Sequence, residues 1–78
     1  MKLEILTPDK ILYSADVEKV TIPGTKGRFT VLKGHASVVS SITVGKTVYS
    51  DSEGKEQSID TGIGIVSVND NKIKIYLY

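Results

Sequence analysis

Cysteine is absent from this 78-residue chain, which excludes disulfide frameworks, thiolate zinc sites, redox motifs and cysteine nucleophiles together. No stretch approaches the roughly 20 apolar residues of a membrane-crossing helix, and the apolar run in the opening MKLEILTPDK is too short for a signal peptide. We therefore expect a chain that stays in the compartment where it is made. Histidine occurs once, at His35, so no second imidazole is there to share a metal. The stretch DSEGKE has neither the length nor the spacing of a calcium loop, and its Asp51, Glu53 and Glu56 read as a solvated hairpin tip. Acid is missing locally: between Glu18 and Asp51 there is none, while Lys19, Lys26, Arg28, Lys33 and Lys46 all fall there. The net charge is only +1, so the field of the whole molecule favours neither nucleic acid nor membrane.

Helical signals are also scarce, with no sustained 3.6-residue apolar period and with β-branched Val, Ile and Thr dominating the apolar positions. What is present is alternation. IKIYLY sets Ile73, Ile75 and Leu77 on one side and Lys74, Tyr76 and Tyr78 on the other. KLEIL does the same with Leu3 and Ile5, and RFTVL with Phe29 and Val31. Turn-forming stretches separate such runs: TPDK, IPGTKG, SDSEGKE and NDNK. Pro23 followed by Gly24 predicts a type II turn, with Gly27 at its exit. The spacing predicts an all-β fold, a flattened antiparallel sandwich or barrel of two sheets with about eight to ten short strands. Residues 1–78 read as a single domain. At this size about 60% of the unfolded chain's surface becomes buried, so a permanent partner would add needed stability.

Two stretches imitate nucleotide-binding motifs. Gly45, Lys46 and Thr47 match the tail of a phosphate loop, but position 40 is Ser40 where the motif needs glycine, and strand-forming residues flank it. Gly62 and Gly64 have dinucleotide-like spacing without the third glycine, and a strand follows, so Gly64 reads as a residue that relieves crowding or forms a bulge. Nothing local assembles a catalytic triad around His35. Single-strand nucleic-acid binding is a stronger rival, because small β-barrels use a basic groove with exposed aromatics. Here Phe29 is wanted by the core, and Tyr76 and Tyr78 would serve equally well beneath a docked protein.

Three segments, LEILTPDKILYSADVEKV, PGTKGRFTVLKGHASVV and the final VSVNDNKIKIYL, resemble in order, nearly end to end, the N-terminal β-domain of the epsilon subunit of F-type ATP synthases. Gly24, Thr25, Gly27, Val31, Leu32, Gly34, His35 and Ala36 fit the family's most specific segment. Lys26 and Arg28 stand where acids are common, Thr30 where glycine is usual, and Lys33 and Ser37 where the family has prolines. In the later motif Ile63 and Gly64 replace paired glycines and Ser67 stands where glutamate is frequent.

The resemblance implies a non-catalytic rotor subunit of the central stalk that docks the gamma subunit onto the c subunits of the membrane ring and couples ion translocation to ATP synthesis or hydrolysis. It implies no cofactor, no nucleic acid, and a peripheral position at the cytoplasmic face of the bacterial inner membrane, reached only through the complex. By analogy Lys26, Arg28, Lys33, Gly34, His35, Ala36, Ser37 and Ser40 face ring and gamma, while Pro23, Gly24 and Gly27 shape the turn. His35 is then a hydrogen-bonding or interface residue. The cations at Lys26 and Arg28 imply a ring loop that is acidic or neutral opposite them. Family members usually continue into a helical pair that in many bacteria can inhibit hydrolysis; the sequence ends at Tyr78 either because the protein is short or because it was cut there, and only in the first case is that inhibition expected to be lacking.

Overall fold

The computed structural model describes residues 1–78. The alternating runs form nine strands: β1 (Lys2–Leu6), β2 (Ile11–Asp16), β3 (Lys19–Gly24), β4 (Gly27–Leu32), β5 (Val38–Ile42), β6 (Gly45–Ser50), β7 (Glu56–Thr61), β8 (Gly64–Asn69) and β9 (Lys72–Leu77). Their order is β2-β1-β9-β8-β5-β3-β6-β7, with β4 on the other edge of β3. Two halves, β2-β1-β9-β8-β5 and β4-β3-β6-β7, are stitched by the single register pair Gly24↔Ile42. The sheet curls around one core, which is the sandwich predicted from sequence. One pairing departs from the antiparallel expectation: β1 and β9 run parallel, Leu3 beside Ile73 and Ile5 beside Ile75. No hairpin joins the two ends of a chain, so nothing local fixes their relative direction.

Period-two alternation supplies the core. Leu3, Ile5, Val20, Ile22, Val31, Ile42, Val66, Val68, Ile73 and Ile75 are buried, and Phe29 and Leu77 are half-buried against them. Each sits in the inward phase of its strand, so a one-residue slip of any strand would expose its whole contribution.

The IPGTKG stretch turns elsewhere than its Pro-Gly pair predicts. Pro23 and Gly24 stay extended in β3, and the chain reverses through Thr25 and Lys26. Gly27, not Gly24, takes the positive φ, at 134°. Gly24 is required for closeness: a Cβ there would lie 2.7 Å from the Gly27 carbonyl oxygen and 3.0 Å from the Phe29 ring. Pairing with Gly27 across the hairpin holds Gly24 in the strand against the type II preference. In the tip that reads as merely solvated, Asp51 has a structural task, since its Oδ1 accepts from the backbone N–H groups of Glu53 and Lys55, each at 2.9 Å.

Inside the curl, the rings of Tyr13 on β2 and Tyr49 on β6 lie 5.0 Å apart at 40°, joining the two halves of the sheet. Burial, with the neighbouring Tyr13 hydroxyl, pushes the Tyr49 phenol up to about 12. The folded state thus holds the Tyr49 proton through a range where the unfolded chain has lost it. This contribution to stability is complete below about pH 10 and is lost as pH rises from there towards about 12. In an absorbance titration near 295 nm, one of the four tyrosines should resist ionisation to about pH 12, and Tyr49→Phe should abolish that late step. A Tyr49→Phe variant that keeps the late step would contradict the assignment.

Candidate protein-interaction surfaces

The sequence-derived site residues divide into two groups at opposite ends of β4, about 17 Å apart at a strand's rise per residue, Gly27 to Leu32. At the first end lie Pro23, Gly24, Lys26, Gly27 and Arg28. The Thr25 N–H donates to the Ser41 carbonyl at 3.1 Å and the Thr43 N–H to the Pro23 carbonyl at 2.9 Å. The Thr25 hydroxyl also donates to the Ser41 carbonyl at 2.8 Å and contacts the Ser41 hydroxyl. These bonds hold the β3–β4 turn against the end of β5. Arg28 reaches across β3 to β6, its guanidinium donating to the Lys46 carbonyl at 3.0 Å. Lys46 is paired with Asp60 on β7 at 2.8 Å. Val44 and Ile63, 71% and 59% exposed, occupy the β5–β6 and β7–β8 turns at this same end.

At the other end lie Lys33, Gly34, His35, Ala36 and Ser37, the connection from β4 to β5. The β8–β9 turn holds it. Gly34 N–H donates to Asn71 Oδ1 at 3.0 Å and Ser37 Oγ to Asn69 Oδ1 at 3.0 Å, while Lys2 N–H donates to the Asn71 carbonyl at 2.9 Å. Asn71 can bridge these elements because it adopts a φ of 60°, a conformation asparagine tolerates better than other side chains with a Cβ. The exposed His35 ring lies with Nδ1 2.6 Å from the Ala36 carbonyl, so that nitrogen carries the proton. His35 N–H donates to the Leu32 carbonyl at 3.0 Å. Asn71→Ala removes one acceptor and places an ordinary side chain in the left-handed region. It should cost about 2 kcal/mol in a urea melt and speed hydrogen exchange at Gly34. Unchanged exchange at Gly34 would mean Asn71 does not hold this loop.

Ser40 belongs to neither end. It sits half-buried in mid-β5, on the same side as Val38 and Ile42, and its Oγ donates to the Ser41 carbonyl at 3.0 Å. Gly45, Lys46 and Thr47, the phosphate-loop imitation, lie in strand β6, where the buried Thr47 hydroxyl meets that of Thr61 at 3.1 Å.

A third surface contains Tyr76, which the sequence offers as a residue for a docked protein to cover, but the row it belongs to is not evident from sequence. On the outer face, Ile11, Leu6, Tyr76 and Ile65 are successive register partners across β2, β1, β9 and β8, and the row ends at Ser41, beside the Thr25 turn. Ile11 is 58%, Tyr76 44% and Ile65 37% exposed. Leu6, Tyr76 and Ile65 stand as apolar residues in the polar phase of their strands, whereas Ile11 shares the phase of Tyr13 in β2 and joins the row only through the register shift between Ile5 and Leu6, so the pairing alone lines them up. A row of apolar side chains joined by register and left open on the outer face is a candidate contact surface. Beside it, a shallow hollow of about 250 Å³ is lined by Ser67, Asn69, Asp70, Lys72, Lys74 and Tyr76.

This arrangement has known relatives. The family described as ATP synthase, Delta/Epsilon chain, beta-sandwich domain matches residues 1–77. An ATP synthase epsilon chain of Sulfurovum sp. is 40% identical over 72 residues, covering 92% of this chain and 56% of that protein. One from Chlorobium limicola is 38% identical over 71 residues, 91% of this chain and 81% of that protein. The chain thus spans a little over half the length of the Sulfurovum relative. Among solved structures, a chain in the Euglena gracilis mitochondrial ATP synthase, in an OSCP/F1/c-ring assembly, superposes with a TM-score of 0.87 at 25% identity, over 96% of this chain and 48% of that one. A chain in the Tetrahymena thermophila mitochondrial ATP synthase central stalk and c-ring shares the fold, with a TM-score of 0.79 at 14% identity over 99% of this chain and 62% of that one. By sequence and by fold, the chain belongs to the ATP synthase delta/epsilon β-sandwich family.

Proposed function

We propose that this chain is a non-catalytic element of an ATP synthase central stalk, docking the gamma subunit onto the c subunits of the membrane ring and helping carry rotation between ring and catalytic subunits. The observation that carries this reading is the close superposition on a chain of an F1/c-ring assembly. The surfaces suit the role. Two separated loop ends and one apolar row offer contacts to more than one partner, as a coupling element requires, and the curl of nine strands is held by backbone ladders rather than long loops. In this reading the Thr25 to Arg28 end meets the polar loops of the ring, and the Lys33 to Ser37 loop, with His35, meets gamma. The chain then lies at the cytoplasmic face of a bacterial cell membrane, held there only through the complex.

Affinity-tagged chain expressed in its source cells tests this. ATP synthase subunits, gamma and c among them, should co-purify in stoichiometric amount. Recovery of nucleic acid instead, with salt-sensitive binding, would overturn the reading.

A further inference from the structure

We infer that the partner loop meeting the β3–β4 turn is acidic, carrying at least two carboxylates placed against Lys26 and Arg28; this rests on the central-stalk reading above. The argument is a charge balance at one end of the molecule. Three cations converge there, Lys26, Arg28 and Lys46. Lys46 is already neutralised by Asp60 at 2.8 Å, the molecule's single ion pair. Arg28 is anchored to a neutral acceptor, the Lys46 carbonyl, which fixes its guanidinium without cancelling its charge. Lys26 stands exposed at the turn tip with no partner. The nearest acids in sequence are Glu18 and Asp51, and both lie at the far ends of β3 and β6. Two uncompensated positive charges therefore remain.

Their surroundings are those of a contact surface. Exposed Val44 and Ile63 lie in the β5–β6 and β7–β8 turns at the same end of the molecule, and the apolar row from Ile11 to Ile65 ends at Ser41, which is bonded to the same turn. A basic loop seated there would set like charges against each other, and a neutral one would desolvate the two cations without a partner to compensate them. A loop with two carboxylates fits, since the Arg28 fork is already held in place to receive one of them bidentately.

Binding of the chain to the gamma and c-ring assembly purified from the same organism tests this, measured at about 50 and about 300 mM salt. Parent chain should bind and weaken as salt rises. Lys26→Glu should weaken binding at low salt by about tenfold or more, and the Lys26→Glu/Arg28→Glu pair further. The Lys26 side chain makes no hydrogen bond or ion pair within the molecule, so its single variant keeps the fold, and matching melting temperatures verify that. Parent binding that both reversals leave unchanged or tighten would overturn the acidic partner and leave the stalk reading standing. No binding by the parent chain would sink both.

Discussion

Replacing Gly64 by alanine is expected to lower the melting temperature by more than about 12 °C, the largest effect of any single methyl group in this chain. The physical reason is backbone closeness. An ideal Cβ at Gly64 would lie 2.1 Å from the Tyr76 carbonyl oxygen, 3.0 Å from its carbon and 3.2 Å from the Leu77 Cα. All three are backbone atoms of β9, so no side-chain rotation relieves the clash. Gly64 pairs with Leu77 on one side and Ile42 on the other, and Ile42 is also the residue through which the two halves of the sheet join. Separating β8 from β9 here disturbs that junction as well. A cost of about 3 kcal/mol or more follows, a large share of the roughly 5 kcal/mol that a domain of this size commands. Gly62, two residues earlier, faces open space, with no atom within 4 Å of where a Cβ would sit, and Gly62→Ala should change stability by about 0.5 kcal/mol or less. Equal melting temperatures for the two variants would show that β8 and β9 are not this close.

The second large effect separates the two faces of one sheet. Ile75→Ala should destabilise by about 2 to 5 kcal/mol, because its side chain is fully buried between those of neighbouring strands. Ile65→Ala removes the same atoms from the outward phase of β8, where the residue is 37% exposed, and should cost about 1.5 kcal/mol or less. Paired urea titrations check this. A larger cost at Ile65 than at Ile75 would mean that the register is slipped by one residue.

Much of this fold was legible because alternation is a local property. Leu3, Ile5, Ile73 and Ile75 declare their inward phase to any reader of KLEIL and IKIYLY, and all four are fully buried. Phase, however, does not name a partner. That β1 lies parallel to β9, and that β5 meets β3 through one pair, depends on contacts between residues far apart in the chain. The Pro-Gly turn failed for a related reason: local preference favoured a type II bend, but pairing across the hairpin and the Phe29 ring beside Gly24 hold that pair extended.

The candidate interaction surfaces show the same division. Lys26, Arg28, Lys33 and His35 stand out in the sequence through the acid-free segment and the glycine-flanked histidine, yet nothing in their spacing says that β4 holds them at opposite ends. Ser40 looks equivalent to Ser37 in sequence, but strand phase turns it partly inward. The row of Ile11, Leu6, Tyr76 and Ile65 exists only through register, so it is invisible until the strands are paired.

The role in the stalk is tested most directly by calorimetric titration of this chain into the gamma subunit of its own organism, held in catalytic complex stripped of epsilon. A one-to-one complex with Kd below about 1 µM is the predicted result, with substitution at His35 weakening it. Absence of measurable heat and of complex at about ten times that concentration would contradict a stalk function for this β-sandwich.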